Sequence, residues 1–372
     1  MLPQARPRIL LLIPHLGGGG AERVMEILAR KLPPEKYEVH LGLVTGSAPG
    51  PEEFSPSLHI HVLKAARVRS ATLPLLRLIR NIRPALILSG IFHLNFLVLL
   101  LRPCFPFGTR ILVRQNGTLS ASLAFDSLAW HTRLLYRLLY RRADRVICQT
   151  HPMAEDLAGE LNLAPEMLAI LPNPIDVEEI RRSINQQQSQ EDTTAPLLLA
   201  VGRLSPEKGF DLLLRAFSQL RKSIPEARLV IAGIGAQEAS LKADSAALGL
   251  NSAVTFAGHI ADPWLYYSAA TLFVLPSRHE GMPNALLEAA AAGLPIVALP
   301  ASGGVVELLR HQPGAWLAPQ VSAPALAASL LSALQALQPG QRFIHTFIDD
   351  HRIDHAMRAY ENLIDQFLAE KP

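Results

Sequence analysis

Two glutamates, Glu280 and Glu288, stand eight residues apart in "SRHEGMPNALLEAAAAGLPIVALP" (277–300), a stretch otherwise mostly apolar or small. Pro283 suits the first turn of a helix, where its missing N–H would be unbonded anyway. Gly293 suits the helix stop. This places Glu280 in a loop before the helix and Glu288 about one and a half turns inside it. Gly281 permits a tight backbone, and the amides around Met282, Pro283 and Asn284 would face an incoming ligand. A carboxylate there can accept hydrogen bonds, Glu280 from sugar hydroxyls and Glu288 from those of a ribose. A helix cap plus a solvated glutamate is the plainer alternative.

Cations accompany the carboxylates. In "GRLSPEKGFD" (202–211) Arg203 leaves a strand after Gly202, and Lys208 follows just before a helix. Two fixed cations at one strand end can clamp a diphosphate, Arg as a planar fork and Lys as a point charge. Ordinary surface charge in a loop would look the same. A third feature, Gly17, Gly18, Gly19 and Gly20, joins an apolar run to an amphipathic segment. Glycines let backbone amides approach a ligand closely, and a helix start favours phosphate. A flexible loop is equally consistent with four glycines.

The elements that would position these residues alternate regularly. "RILLLIPHL", "EVHLGLVTG", "PALILSG", "TRILVRQNG", "DRVICQT" and "MLAILPNPID" read as strands, with helices such as "AERVMEILARKL" and "LPLLRLIRNI" between them. The rhythm restarts in "APLLLAVGRLSPEKG", "ARLVIAGIG", "AVTFAGHI", "TLFVLPS" and "LPIVALP". Continuous apolar runs fit strands buried on both faces, and their alternation with helices predicts two doubly wound, mainly parallel α/β domains. The polar, Gln-rich stretch 183–196 reads as an exposed loop near the domain boundary. In such sheets ligands sit beyond the carboxyl ends of the strands. That is where the residues above fall.

Composition narrows the classes. The chain of 372 residues is 49% hydrophobic and 18% charged, enough for two cores and unlike a disordered chain. Its two cysteines, Cys104 and Cys148, have no metal or disulfide spacing, which suits a reducing, cytoplasmic setting. Residues 1–172 hold 20 Lys/Arg against 12 Asp/Glu, a net +8, whereas residues 173–372 carry a net −5. "WHTRLLYRLLYRRADR" spaces Arg133, Arg137 and Arg141 along one helix face beside leucines and tyrosines. That face could rest on an anionic membrane with its aromatics at the interface, or be a solvated face over a normal core stripe. Nucleic acid is not the expected partner, because no recognition module accompanies the charge. "RILLLIPHL" breaks too early for a signal peptide, and "PALILSGIFHLNFLVLLL" is interrupted by Ser89, His93 and Asn95, so no membrane span is expected.

"SRHEGMPNALLEAAAAGLPIVA" closely resembles the E-x7-E signature of retaining GT-B-fold glycosyltransferases, especially family 4. "GGGGAERV", "LPNPID", "VGRLSPEKGFDLLLRAF", "VIAGIG" and "ADPWLYYSAATLFVLPS" are similar to the same family, in order, along nearly the whole chain. The resemblance implies an acceptor-binding domain over 1–172, a nucleotide-sugar domain over 173–352, and a final helix, 353–372, returning to the first domain. It implies that Arg203 and Lys208 hold the donor diphosphate, Glu280 and Gly281–Asn284 the donor sugar, and Glu288 the ribose. Glu280, Arg203 and Lys208 are then the candidate catalytic residues. Gly17–Gly20 would face donor and acceptor, and the base would lie near His259 and Ile260. Some relatives carry a histidine after the strand "RILVRQNG". This chain has Gln115 and Asn116 there, so His93, Asn95, Arg114 and Asn116 are the acceptor-side candidates. His93 and Asn95 are placed in a strand-end loop, with a core role for His93 as the alternative.

The implied activity is transfer of a sugar from a nucleotide-sugar, expected to be UDP-linked, to a glycan or polyprenyl-diphosphate-linked acceptor, with retained configuration. No cofactor and no metal are expected, in keeping with the lack of a D-x-D motif. The expected location is the cytoplasm, with peripheral attachment to the cytoplasmic face of the inner membrane as the further option. A non-catalytic nucleotide-sugar-binding scaffold and a GT-B-fold nucleotide-sugar epimerase are the alternatives.

Overall fold

The computed structural model describes residues 6–17, 19–46, 55–124, 129–187, 195–260 and 262–370. The chain divides into two compact units: unit 1, Met1–Pro174 with Asp354–Pro372, and unit 2, Ile175–Ile353.

Unit 1 is built on seven strands: β1 (Arg8–Ile13), β2 (Glu38–Leu43), β3 (His59–Val62), β4 (Leu86–Ser89), β5 (Arg110–Arg114), β6 (Arg145–Cys148) and β7 (Leu168–Ile170). All pair in parallel, in the order β3-β2-β1-β4-β5-β6-β7. Unit 2 repeats the plan with β8 (Leu197–Val201), β9 (Arg228–Ala232), β10 (Val254–Gly258), β11 (Leu272–Leu275), β12 (Ile296–Ala298) and β13 (Ala315–Leu317), in the order β10-β9-β8-β11-β12-β13. Both sheets reverse their strand order beside the first strand, at β1/β4 and β8/β11. The carboxyl ends at such a reversal are the usual binding place of a doubly wound sheet.

Apolar runs become strands here because both sheet faces are covered. In β8, Leu198 and Ala200 join one buried cluster, while Leu199 joins the cluster on the opposite face. A single solvent-facing side would have required alternation with polar residues. The last helix, Ile353–Ala369, packs on unit 1. Tyr37 donates to Asp365 Oδ1 at 2.5 Å, Lys36 pairs with Glu361 at 3.0 Å, and Arg145 lies over the Phe367 ring.

Two strands, β3 and β13, and three helices, Leu119–Ala124, Val177–Gln186 and Ala323–Ala336, are additional to the sequence reading. The units part at Pro174/Ile175, shortly before the Gln-rich stretch. The start of that stretch continues the helix Val177–Gln186, and 188–194 lie outside the described residues.

Candidate functional site

The strongest cluster lies at the reversal in unit 2, where the loops leaving β8 and β11 meet. Gly209 lets them close. Its φ is +66°, and a Cβ there would sit 2.0 Å from the Pro276 carbonyl oxygen. Arg278 then joins the loops. Its guanidinium forks onto both Asp211 oxygens at 2.7 Å, its Nη1 donates to the Pro206 carbonyl, and its backbone N–H donates to the Glu207 carbonyl. Burial would raise the Asp211 carboxyl, but the Arg278 fork overcomes this and holds it below its usual value.

That junction brings Lys208 onto Glu280. The ammonium donates to both carboxylate oxygens, at 2.6 and 2.8 Å, and the Ser277 hydroxyl adds a third bond at 2.6 Å. Glu280 is buried in the loop between β11 and the helix Asn284–Ala291. Pro283 is the residue before this helix rather than its first residue, so Glu288 falls about one turn inside. Gly293, with φ +72°, lies just past the helix end. Glu288 is also buried, and the fully buried Tyr267 donates to its Oε2 at 2.9 Å. Gly281, Met282 and Pro283 are buried, and Asn284 is half-buried.

Glycines stitch the remaining strand ends. A Cβ on Gly233 would meet the Gly202 carbonyl oxygen at 1.9 Å, and one on Gly235 the Leu204 carbonyl oxygen at 2.3 Å. Gly202 N–H bonds to Ala232 and Leu204 N–H to Ile234 across this contact. Arg203, between Gly202 and Leu204 in the chain, is exposed and without an ion pair among the described residues. His259 is exposed and Ile260 half-buried, just after Gly258 at the end of β10.

In unit 1, Gly17 and Gly19 lie beyond β1, Gly20 opens the helix Gly20–Lys31, and Gly18 is outside the described residues. Two amides expected to face a ligand are already engaged. Gly19 N–H donates to Glu22 and Gly17 N–H to Glu26, each at 3.0 Å. The helix's own acids occupy the position favourable to an anion. His93 and Asn95 are in the first turn of the helix Phe92–Leu101, not in a loop. His93 is exposed against Phe92, whereas Asn95 is fully buried and donates to the Arg114 carbonyl at 3.0 Å and the Tyr140 hydroxyl at 3.2 Å. Arg114 is buried at the end of β5, and its guanidinium donates to Asn116 and Asn173.

The basic helix Ala129–Tyr140 differs from its sequence reading. Arg133 pairs with Glu160 at 2.9 Å, and Arg137 donates to the Glu160 carbonyl. Tyr136 and Tyr140 are in the core rather than at the surface. The exposed apolar residues are Trp130, Leu134, Leu135 and Leu138, with Arg141 and Arg142 exposed beyond them. Among the described residues, no helix is long and apolar enough to cross a membrane. Nor do three or more His, Cys, Asp or Glu side chains gather there in a way that could hold a metal ion.

Sequence reasoning missed Ser277, Arg278, Asp211 and Tyr267, the groups that hold the two glutamates and Lys208. Gly209 before a helix was the available signal for the loop contact. Nothing local marks Tyr267 as the partner of Glu288.

Two parallel α/β units, with ionic residues held on loops at a strand-order reversal, are those of the GT-B fold. Over nearly full length the fold matches two solved structures. One is Anabaena HepE in complex with UDP and glucose, TM-score 0.81, 17% identical, covering 97% of this chain and 100% of that one. The other is sucrose-phosphate synthase from Thermosynechococcus elongatus, TM-score 0.79, 20% identical, covering 98% and 100%. Glycosyltransferase Family 4 matches residues 18–179, and Glycosyl transferases group 1 matches residues 181–345. A Campylobacter jejuni relative is 30% identical over 80% of this chain and 82% of its own length. It is an N-acetylgalactosamine-N,N'-diacetylbacillosaminyl-diphospho-undecaprenol 4-alpha-N-acetylgalactosaminyltransferase. The chain belongs to glycosyltransferase family 4, and it is a glycosyltransferase.

Proposed function

We propose that the chain transfers a hexosyl or N-acetylhexosaminyl group from a UDP-sugar to a lipid-linked glycan, with retention of configuration and without a metal. The observation that carries this reading is the Lys208–Glu280 pair at the β8/β11 reversal, with Glu288 held one helical turn beyond it. The diphospho-undecaprenol substrate named for the Campylobacter relative supports a lipid-linked acceptor, and the UDP bound by the Anabaena protein supports the donor.

In this reading Arg203 and Lys208 take the donor diphosphate, Glu280 the sugar hydroxyls and Glu288 the ribose. The bond from the anomeric carbon to the diphosphate oxygen breaks, and its electron pair goes to that oxygen. The acceptor hydroxyl oxygen bonds to the anomeric carbon on the same face, and its proton passes to the departing diphosphate. Negative charge grows on the leaving group, so fixed cations there lower the barrier more than they tighten substrate binding. Lys208 enters with its charge balanced by Glu280, and the exposed Arg203 adds positive charge that no ion pair among the described residues ties down.

The exposed stripe Trp130, Leu134 and Leu138, with Arg141 and Arg142 beside it, fits an anionic membrane surface on which such an acceptor would lie. Co-sedimentation with phosphatidylglycerol vesicles, lost in Leu134→Glu/Leu138→Glu, tests this. Equal recovery of the variant and the unaltered protein would remove the membrane role.

The activity test is incubation with UDP-glucose, UDP-galactose and their N-acetyl forms plus a diphospholipid-linked glycan, followed by proton NMR of the product. An α-linked product whose yield is unchanged by EDTA is expected. A β-linked product would overturn retention, and loss with EDTA would overturn metal independence. A tightly bound nucleotide-sugar with no turnover would favour a scaffold.

A further inference from the structure

Arg114 has a burial problem that unit 1 does not solve. It is 2% exposed, yet no carboxylate among the described residues pairs with it. Its guanidinium donates only to two neutral side-chain oxygens, Asn116 Oδ1 and Asn173 Oδ1, and its Nε has no partner. A buried charge with only neutral partners is strongly disfavoured unless a counter-charge arrives.

The surroundings are polar in the same unusual way. Ser89 at the end of β4, Asn95 at the start of the helix Phe92–Leu101, and Gln149 just past β6 are all buried. Ser89 Oγ, Asn95 Oδ1 and Gln149 Nε2 likewise lack partners. They are tied to Arg114 through the chain: Ser89 is in register with Val113, and Asn95 donates to the Arg114 carbonyl. With Arg114 Nε, four of the eight unpartnered buried side-chain atoms among the described residues lie at these strand ends and the adjoining helix start, next to the β1/β4 reversal. Native interiors leave few such atoms, so their concentration calls for a ligand.

We infer that the carboxyl end of β5 is an oxyanion site, in which Arg114 binds a phosphoryl or carboxylate group carried by the acceptor. Asn116, half-buried on the loop leaving β5, is the side chain that gives way: the ligand's charged oxygen replaces its neutral Oδ1 on the guanidinium. Asn95 and Gln149 then offer one acceptor and one donor to hydroxyls beside the anion. The inference deepens the reading of unit 1 as the acceptor side, and rests on it for the identity of the ligand's carrier.

The test uses Asn116→Asp, which keeps the shape and puts a carboxylate on Arg114. Thermal midpoints of this variant and the unaltered protein would be read with UDP alone, and then with inorganic phosphate, inorganic diphosphate and glucuronate, each added on top of saturating UDP so that the unit 2 diphosphate site is already filled. The expected result is a rise of roughly 5–10 °C for the unaltered protein with at least one oxyanion near 100 times its Kd. The variant should start at a higher midpoint and lose that rise. Diphosphate alone acting identifies a phosphoryl group, and glucuronate alone a carboxylate. The UDP response belongs to unit 2, so its failure would count against the donor reading and not against this site. No rise with any oxyanion would overturn the inference, and so would a rise that Asn116→Asp leaves intact. A lowered midpoint in the ligand-free variant would also overturn it, because it would mean Arg114 has its charge satisfied already.

Discussion

Lys208 Nζ lies 2.6 and 2.8 Å from the two carboxylate oxygens of Glu280, so one ammonium is held by both oxygens of a buried acid. Each charge is the other's main compensation, and the two sides are not equally exposed: the lysine side chain is 23% exposed and the glutamate 8%. Removing the lysine strands a buried carboxylate, whereas removing the carboxylate leaves an ammonium that water can reach. Lys208→Met should cost about 2–3 kcal/mol of stability, and Glu280→Gln about 1 kcal/mol. Denaturant unfolding of both variants reads the difference. Both should lose transfer activity by at least about 100-fold. Equal stability losses would contradict the asymmetry.

Tyr267 positions Glu288 without being able to reach a ligand itself, since it is fully buried. Tyr267→Phe removes one bond to a charged oxygen and leaves the ring packing in place. The expected effect is a donor KM raised roughly 5- to 10-fold, with kcat changed less than about two-fold. Steady-state kinetics in varied donor separates the two. A fall in kcat at unchanged KM would assign Glu288 to the chemical step instead.

The glycine contacts make a sharp stability prediction. Gly233 combines φ +143° with a carbonyl oxygen 1.9 Å from where a Cβ would go. Gly233→Ala should therefore destabilise unit 2 by about 3 kcal/mol, from backbone strain and the shifted β8 loop together. Gly249→Ala is the control: its φ is +69° and no heavy atom lies within 4 Å of the added carbon. It should cost about 1 kcal/mol, from backbone strain alone. Comparable losses in the two variants would show that the close loop approach does not matter.

Much of this arrangement was legible in the sequence, for physical reasons. Central strands such as β1 and β8 are buried on both faces, so their apolar runs announce them. The strands that escaped notice, β3 and β13, are edge strands of three or four residues with no fully buried position. Their sequences, "HIHV" and "AWL", carry too little pattern. Glu280, Glu288, Arg203 and Lys208 could be selected because charge is rare in apolar loop surroundings. That Lys208 and Glu280 hold each other could not be, because it depends on a loop contact between residues 72 apart. The burial of Arg114 was hidden for a similar reason: its partner Asn173 is 59 residues away.

An unplanned pH dependence follows from the edge of unit 1. His40 on β2 contacts His61 at 3.0 Å and Glu38 at 3.1 Å, and it stacks on His59. Its pKa is lowered to about 4, chiefly by burial; Glu38, itself bonded to Arg8, opposes this, and the other two histidines add to the lowering. In the unfolded chain the value is about 6.5. Between those two values the unfolded state binds the extra proton, so stability is full above about pH 6.5 and falls as the pH drops toward 4. His40→Asn should flatten this limb of the melting-midpoint profile. An unchanged acid limb would show that carboxylates alone produce it.

The central claim is that the β8/β11 reversal of unit 2 binds a nucleotide-sugar through Arg203, Lys208, Glu280 and Glu288. Isothermal titration of UDP and its sugars into the unaltered protein and Glu288→Ala tests it most directly. The predicted result is one site per chain, weakened at least about ten-fold in the variant, with the variant still folded. Equal affinity in the two proteins, or no binding of any nucleotide to the folded chain, would contradict it.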